Sequence, residues 1–139
     1  MPPKKTSSGV KKASTPAVKK IRVVICDDNE KVRVTLARAL KYKSDVEVVG
    51  ESGSFEELAA QLPTVKAQIV LLDFNLPGLN GVDGIKHLRA NGFAVPVIMM
   101  SADKRAEGPA LQAGAVSFFY KGSTDLTLLV EGIRSAASV

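Results

Sequence analysis

The chain has 139 residues, 45% hydrophobic and 24% charged, with a formal net charge of +5. That composition suits one packed domain, leaves little room for a second, and holds no apolar stretch long enough for a transmembrane helix or a secretory leader. The single cysteine, Cys26, excludes an internal disulfide framework and a cysteine-based zinc site, so a cytoplasmic protein without membrane attachment is expected.

Residues 1–20 come first and stand apart. They hold six of the 19 basic residues and no acid, which leaves 13 basic against 14 acidic residues in the rest. Such a segment buries too little apolar surface to offset its ordering entropy. We therefore expect a basic disordered tail over 1–20 and one folded domain over 21–139. The tail reads either as an electrostatic arm for nucleic acid or another acidic partner, or as a solvated leader. It has no aromatic side chain to stack on bases.

From Ile21 the pattern alternates. Ile21 to Cys26 is a β-branched run ending at Asp27-Asp28. Glu30 to Lys43 places Val32, Leu36, Ala39 and Leu40 at helical spacing. Asp45 to Glu51 reads as a second strand. Ser54 to Leu62 reads as a helix with a serine cap and acids in its first turn, ended by Pro63. Gln68 to Leu72 is fully apolar after its first residue and ends at Asp73. A loop from Asn75 to Gly81 precedes a helix over Val82 to Asn91, closed by Gly92. Pro96 to Met100 ends at Ser101. Glu107-Gly108-Pro109 predicts a short fourth helix starting near Gly108 or Pro109, since proline fits only a first turn. Val116 to Tyr120 ends at Lys121, and Leu126 to Ala137 is a last amphipathic helix.

Five β-runs, each followed by a helix, predict right-handed crossovers and a parallel sheet. The runs are apolar throughout, as strands covered on both faces require. In such sheets ligands bind outside the carboxyl ends of the strands. There this chain carries Asp27-Asp28, Asp73, Ser101 and Lys121. Converging carboxylates repel one another and call for an oxygen-seeking cation, which favours Mg2+ over zinc. With a lysine opposite and a serine hydroxyl, they describe a pocket for a phosphoryl group. No Gly-rich nucleotide loop is present. A carboxylate can itself be the nucleophile, and Asp73 is the best placed. Each piece alone has an ordinary reading: a helix cap, a turn serine, a surface lysine. The conjunction at four strand ends is what carries the argument.

Four segments, in order, resemble the receiver domain of bacterial two-component response regulators. They are Val23 to Asn29, Leu71 to Gly81 with Asp73-x-x-Leu-Pro77-x-x-x-Gly81, Ile98 to Ala102, and Gly114 to Lys121. The resemblance covers 21–139 and implies a flavodoxin-like, doubly wound (βα)5 fold with strand order 2-1-3-4-5. It implies that Asp73 is the phosphoacceptor, with phosphohistidine on a sensor histidine kinase or histidine phosphotransfer protein as donor. Mg2+ would be held by Asp28 directly, Asp27 through water, Asp73, and the Asn75 backbone carbonyl. Lys121 and Ser101 would contact the phosphoryl group, Ser101 and Phe118 would form a conformational switch, and Asn75 and Asp103 would tune phosphoryl lifetime. It further implies a signalling domain with at most slow autophosphorylation and autodephosphorylation, not an enzyme.

Gly122 departs from the proline, in a cis peptide, that many members carry after the lysine; a non-proline cis bond costs about 3 kcal/mol, and either isomer stays open. Three functional readings fit these residues. The first is a stand-alone receiver acting through protein partners, with no output domain after Val139. The second is a truncated receiver of a DNA-binding transcription regulator, since Val48-Val49-Gly50-Glu51 resembles receivers joined to helix-turn-helix domains. The third is an aspartyl-phosphate phosphohydrolase, which needs an acid where Asn75 stands. Elsewhere, His87, Lys41, Lys43 and Arg134 read as solvated helix faces, and Cys26, Met99 and Met100 as core.

Overall fold

Five short apolar runs become strands: β1 Ile21–Cys26, β2 Val46–Ser52, β3 Ile69–Asp73, β4 Val97–Ser101 and β5 Ser117–Tyr120. The computed structural model describes residues 19–123 and 125–138. The expected tail thus lies outside the described residues, apart from Lys19 and Lys20. The strands pair in parallel, as the alternation predicts, in the order β2-β1-β3-β4-β5, the doubly wound order the resemblance implies.

Helices cover both faces. They are α1 Glu30–Lys41, α2 Phe55–Val65, α3 Gly81–Ala90, α4 Glu107–Gln112 and α5 Thr127–Ala137. Alternate residues of each central strand point to opposite cores. Val23, Ile25, Ile69, Leu71, Ile98 and Met100 pack with Leu36 and Leu40 of α1 and Leu129 and Ile133 of α5. Val24, Cys26, Val70, Leu72, Val97 and Met99 pack with Leu58 of α2, Ile85 and Leu88 of α3 and Ala110 of α4. Two filled layers explain why these strands read as unbroken apolar runs.

Three local expectations need correction. Pro63 lies inside α2, which continues to Val65 and stops at Lys66 in the left-handed region, φ 53°. The end is stabilised from a distance: Arg22 donates through Nη2 to the Val65 carbonyl at 2.6 Å and through Nε to the Lys66 carbonyl at 3.1 Å. Carbonyls that would otherwise be orphaned at a helix end are thus satisfied. Arg134 is no freely solvated side chain; it grips Asp45 at 2.7 and 3.1 Å, tying α5 to the turn before β2. The loop after Asp73 contains a small antiparallel ribbon, Asn75–Leu76 against Leu79–Asn80. Pro77-Gly78, with Gly78 at φ 74°, supplies the turn that closes it.

The fourth helix is short, as Pro109 requires. A single 3-10 turn, Lys104–Ala106, leads into α4, which begins at Glu107, one residue before the expected Gly108. Pro109 thereby occupies the first turn, where its missing N–H costs nothing. No cis peptide occurs among the described residues, so Gly122 follows Lys121 through a trans bond.

Candidate functional site

Parallel strands bring their carboxyl ends to one edge, and the chain's unusual polar residues meet there. Asp27 follows β1 directly, Asp73 ends β3, Ser101 ends β4, and Lys121 follows β5. Asp27, Asp73 and Ser101 are buried, and Asp28 is exposed. Carboxylate oxygens of Asp27, Asp28 and Asp73 lie within 4.8 Å of one another. The Lys121 ammonium stands 2.9 Å from Asp27 Oδ2 and 3.4 Å from Asp73 Oδ2.

Short-range chemistry aims these groups. Asp27 Oδ1 accepts the Asn29 N–H at 2.9 Å, and Asn29 in turn caps α1 by accepting the Val32 N–H at 3.1 Å. Asp73 Oδ1 accepts the Asn75 N–H at 3.2 Å, which fixes the carboxylate's rotation and leaves Oδ2 toward Lys121. The Lys121 N–H donates to the Ser101 carbonyl at 2.8 Å, joining the ends of β4 and β5. Ser101 Oγ accepts the Asp103 N–H at 3.0 Å and the Asn75 side-chain amide at 3.4 Å.

Burial pushes the Asp73 carboxyl above its ordinary value; the Asn75 N–H opposes this, the Asp27 charge adds to it, and Lys121 pulls it back. Burial also works against the Lys121 ammonium, but its hydrogen bond to Asp27 and the charges of Asp73 and Asp27 outweigh that and hold it above its usual range. With the three carboxylates ionised, one lysine leaves two negative charges uncompensated in a partly buried pocket. Hard oxygen donors with that deficit fit a divalent cation of the Mg2+ type.

Asn75 and Asp103 line one depression of about 330 Å³ with Phe74 and Arg105. Asp103 is clasped by Arg105 at 2.9 Å, and that hydrogen bond holds its carboxyl below the usual range. Phe118 is half-buried against the layer that holds α3 and α4. His87 lies exposed on α3, its ring 5.8 Å from Phe55, away from the strand ends. Cys26, Met99 and Met100 are fully buried core residues. One polar residue near the site had no signal in the sequence: Arg33, whose Nη1 donates to the Asp27 carbonyl at 2.6 Å. An arginine one position after a valine that helical spacing assigns to the apolar face reads as a surface charge, and nothing local says that it turns inward.

Among the described residues no helix is long and apolar enough to cross a membrane. The family model for the response regulator receiver domain matches residues 23–133. Response regulator UvrY of Escherichia coli (strain K12) is 31% identical over 120 residues, covering 85% of this chain and 55% of that protein. The probable transcriptional regulatory protein NarL of Mycobacterium tuberculosis (strain CDC 1551 / Oshkosh) is 35% identical over 129 residues, covering 89% of this chain and 58% of that protein. The solved signal receiver domain of the putative response regulator NarL from Mycobacterium tuberculosis superposes with a TM-score of 0.75 at 28% identity, covering 87% of this chain and 99% of that one. The chain spans a little over half the length of these two curated relatives.

Proposed function

The chain belongs to the response regulator receiver domain family, and from that premise we propose that it accepts a phosphoryl group on Asp73 from a phosphohistidine. The donor would be a sensor histidine kinase or a histidine phosphotransfer protein. The observation that carries this reading is the Asp73 carboxylate, buried at the end of β3, 3.4 Å from Lys121 and beside two further acids.

In the transfer, a carboxylate oxygen of Asp73 attacks phosphorus, the P–N bond of the phosphohistidine breaks, and an acyl phosphate forms. The imidazole leaves with the electron pair of that bond. Lys121 exchanges its contact with Asp73 for one with a phosphoryl oxygen, keeping a positive charge where negative charge accumulates. Ser101 Oγ already accepts two hydrogen bonds, so its own proton is free for a phosphoryl oxygen. Asp27, Asp28, Asp73 and the Asn75 carbonyl are the groups that would hold Mg2+. When bound, the ion neutralises charge on the phosphoryl oxygens. A reorientation of Ser101 and repacking of Phe118 would carry the change to the α4–β5 side of the domain.

This reading makes the chain a phosphoacceptor that dephosphorylates slowly, not a multiple-turnover phosphohydrolase. Asn75 stands two residues beyond Asp73, where an amide cannot transfer a proton. One observation favours an attached output: the NarL relative is described as a transcriptional regulatory protein, and the chain spans 58% of it. On that reading the receiver controls a DNA-binding domain in a longer protein.

Incubation with a small acyl-phosphate donor and Mg2+ tests the assignment. The wild-type chain should be phosphorylated and Asp73→Asn should not. Undiminished phosphorylation of the variant overturns it.

A further inference from the structure

We propose that Arg33 is a positioning residue of the acid pocket: its guanidinium holds the peptide plane through which Asp28 enters that pocket. The inference rests on the Mg2+ pocket proposed above and extends it to a residue outside the ligand set.

Arg33 lies in α1, one turn beyond the Asn29 cap, with its N–H on the Asn29 carbonyl at 2.9 Å. Its side chain turns back beneath the end of β1 and is only 17% exposed. Nη1 donates to the Asp27 carbonyl at 2.6 Å, a charge-assisted bond to a main-chain group. Nε lies 3.4 Å from Glu51 Oε1, an ion pair, yet it is buried and makes no hydrogen bond among the described residues. The guanidinium is therefore aimed by the Asp27 carbonyl, with Glu51 supplying charge balance. Gly53 leaves the room it needs: a Cβ there would come within 3.3 Å of Nη1.

The consequence falls on Asp28. Every other polar group of Asp27 is engaged: its N–H on the Ser52 carbonyl at 3.0 Å, Oδ1 by Asn29 and Oδ2 by Lys121. Asp28 is exposed, and no hydrogen bond among the described residues holds its carboxylate. Its direction is set by the Asp27–Asp28 peptide, and Arg33 is the group that grips the carbonyl of that peptide. Partners that orient ligands without touching the metal commonly govern affinity by about 10–100-fold.

The test is Mg2+ binding to the apo chain by calorimetry, a readout independent of phosphorylation. Arg33→Ala should bind Mg2+ about 10-fold or more weakly. Asp45→Asn, which breaks an ion pair away from the pocket, should bind like wild type. Wild-type affinity in a folded Arg33→Ala overturns the inference and leaves the pocket standing. A wild-type chain that binds no Mg2+ overturns the pocket reading and the inference with it. Should Arg33→Ala fail to fold, Arg33→Lys keeps the charge and loses the planar fork. It is expected to bind more weakly than wild type, and unchanged affinity there overturns the inference.

Discussion

Cys26 illustrates how far position along a strand decides chemistry. It sits one residue before the acid pair, yet it faces the packed layer with Leu58 and Leu88 and is fully buried. Burial pushes its thiol up to about 11, so almost no thiolate exists near neutrality. A thiol reagent at about pH 8 should label the unfolded chain quickly and the folded chain hardly at all; rapid labelling of folded protein would contradict the packing described. Gly81 is held to its residue type by its neighbours. A Cβ there would meet Met99 Sδ and lie 3.0 Å from the Phe74 main chain. Gly81→Ala should therefore cost about 1–3 kcal/mol by overpacking, read in a denaturant titration. Asp27, Asp73, Ser101 and Lys121 were legible in the sequence because each closes an apolar run, so topology alone brings them together. Arg33 was not, because a helix pattern records which face is apolar, not where a long charged side chain bends.

Elements were legible where their signals are local. Ser54 caps α2 as expected, accepting the Glu57 N–H at 3.2 Å, and Pro109 shortens α4 as expected. The misread ends depend on partners far along the chain. Arg22, 43 residues before Val65, satisfies the carbonyls that let α2 run past Pro63. Arg134, 89 residues after Asp45, finds a carboxylate that no spacing rule predicts. That pair gives a pH prediction. The hydrogen bond from Arg134 holds the Asp45 carboxyl below its ordinary value. Its stabilising effect is therefore present above the unfolded value of about 3.9 and lost as the pH falls through the lower folded value. The pair is exposed enough that the effect is small. The Tm of Asp45→Asn should lie slightly below wild type at neutral pH, and the gap should close below about pH 4. A gap that widens on acidification would contradict the ion pair.

At the scale of the molecule, the net charge of +5 divides into a basic segment over 1–20 and a nearly neutral domain, three of whose 14 acids gather at one sheet edge. Among the described residues, those that meet at the site belong to 21–139. β1 enters the sheet with the Ile21 N–H on the Asp45 carbonyl at 2.8 Å. Deleting residues 1–20 should thus leave phosphorylation by a small donor at the wild-type rate. A large loss would make the tail part of the receiver's machinery. Everything proposed for the site turns on Asp73 as the residue that takes the phosphoryl group. Borohydride reduction of the phosphorylated chain, followed by peptide mass mapping, tests this directly, because an aspartyl phosphate is reduced to homoserine. Homoserine is expected at position 73 and at no other aspartate. Homoserine at position 27 or 28, or a phosphorylated chain with Asp73 unaltered by reduction, would contradict it.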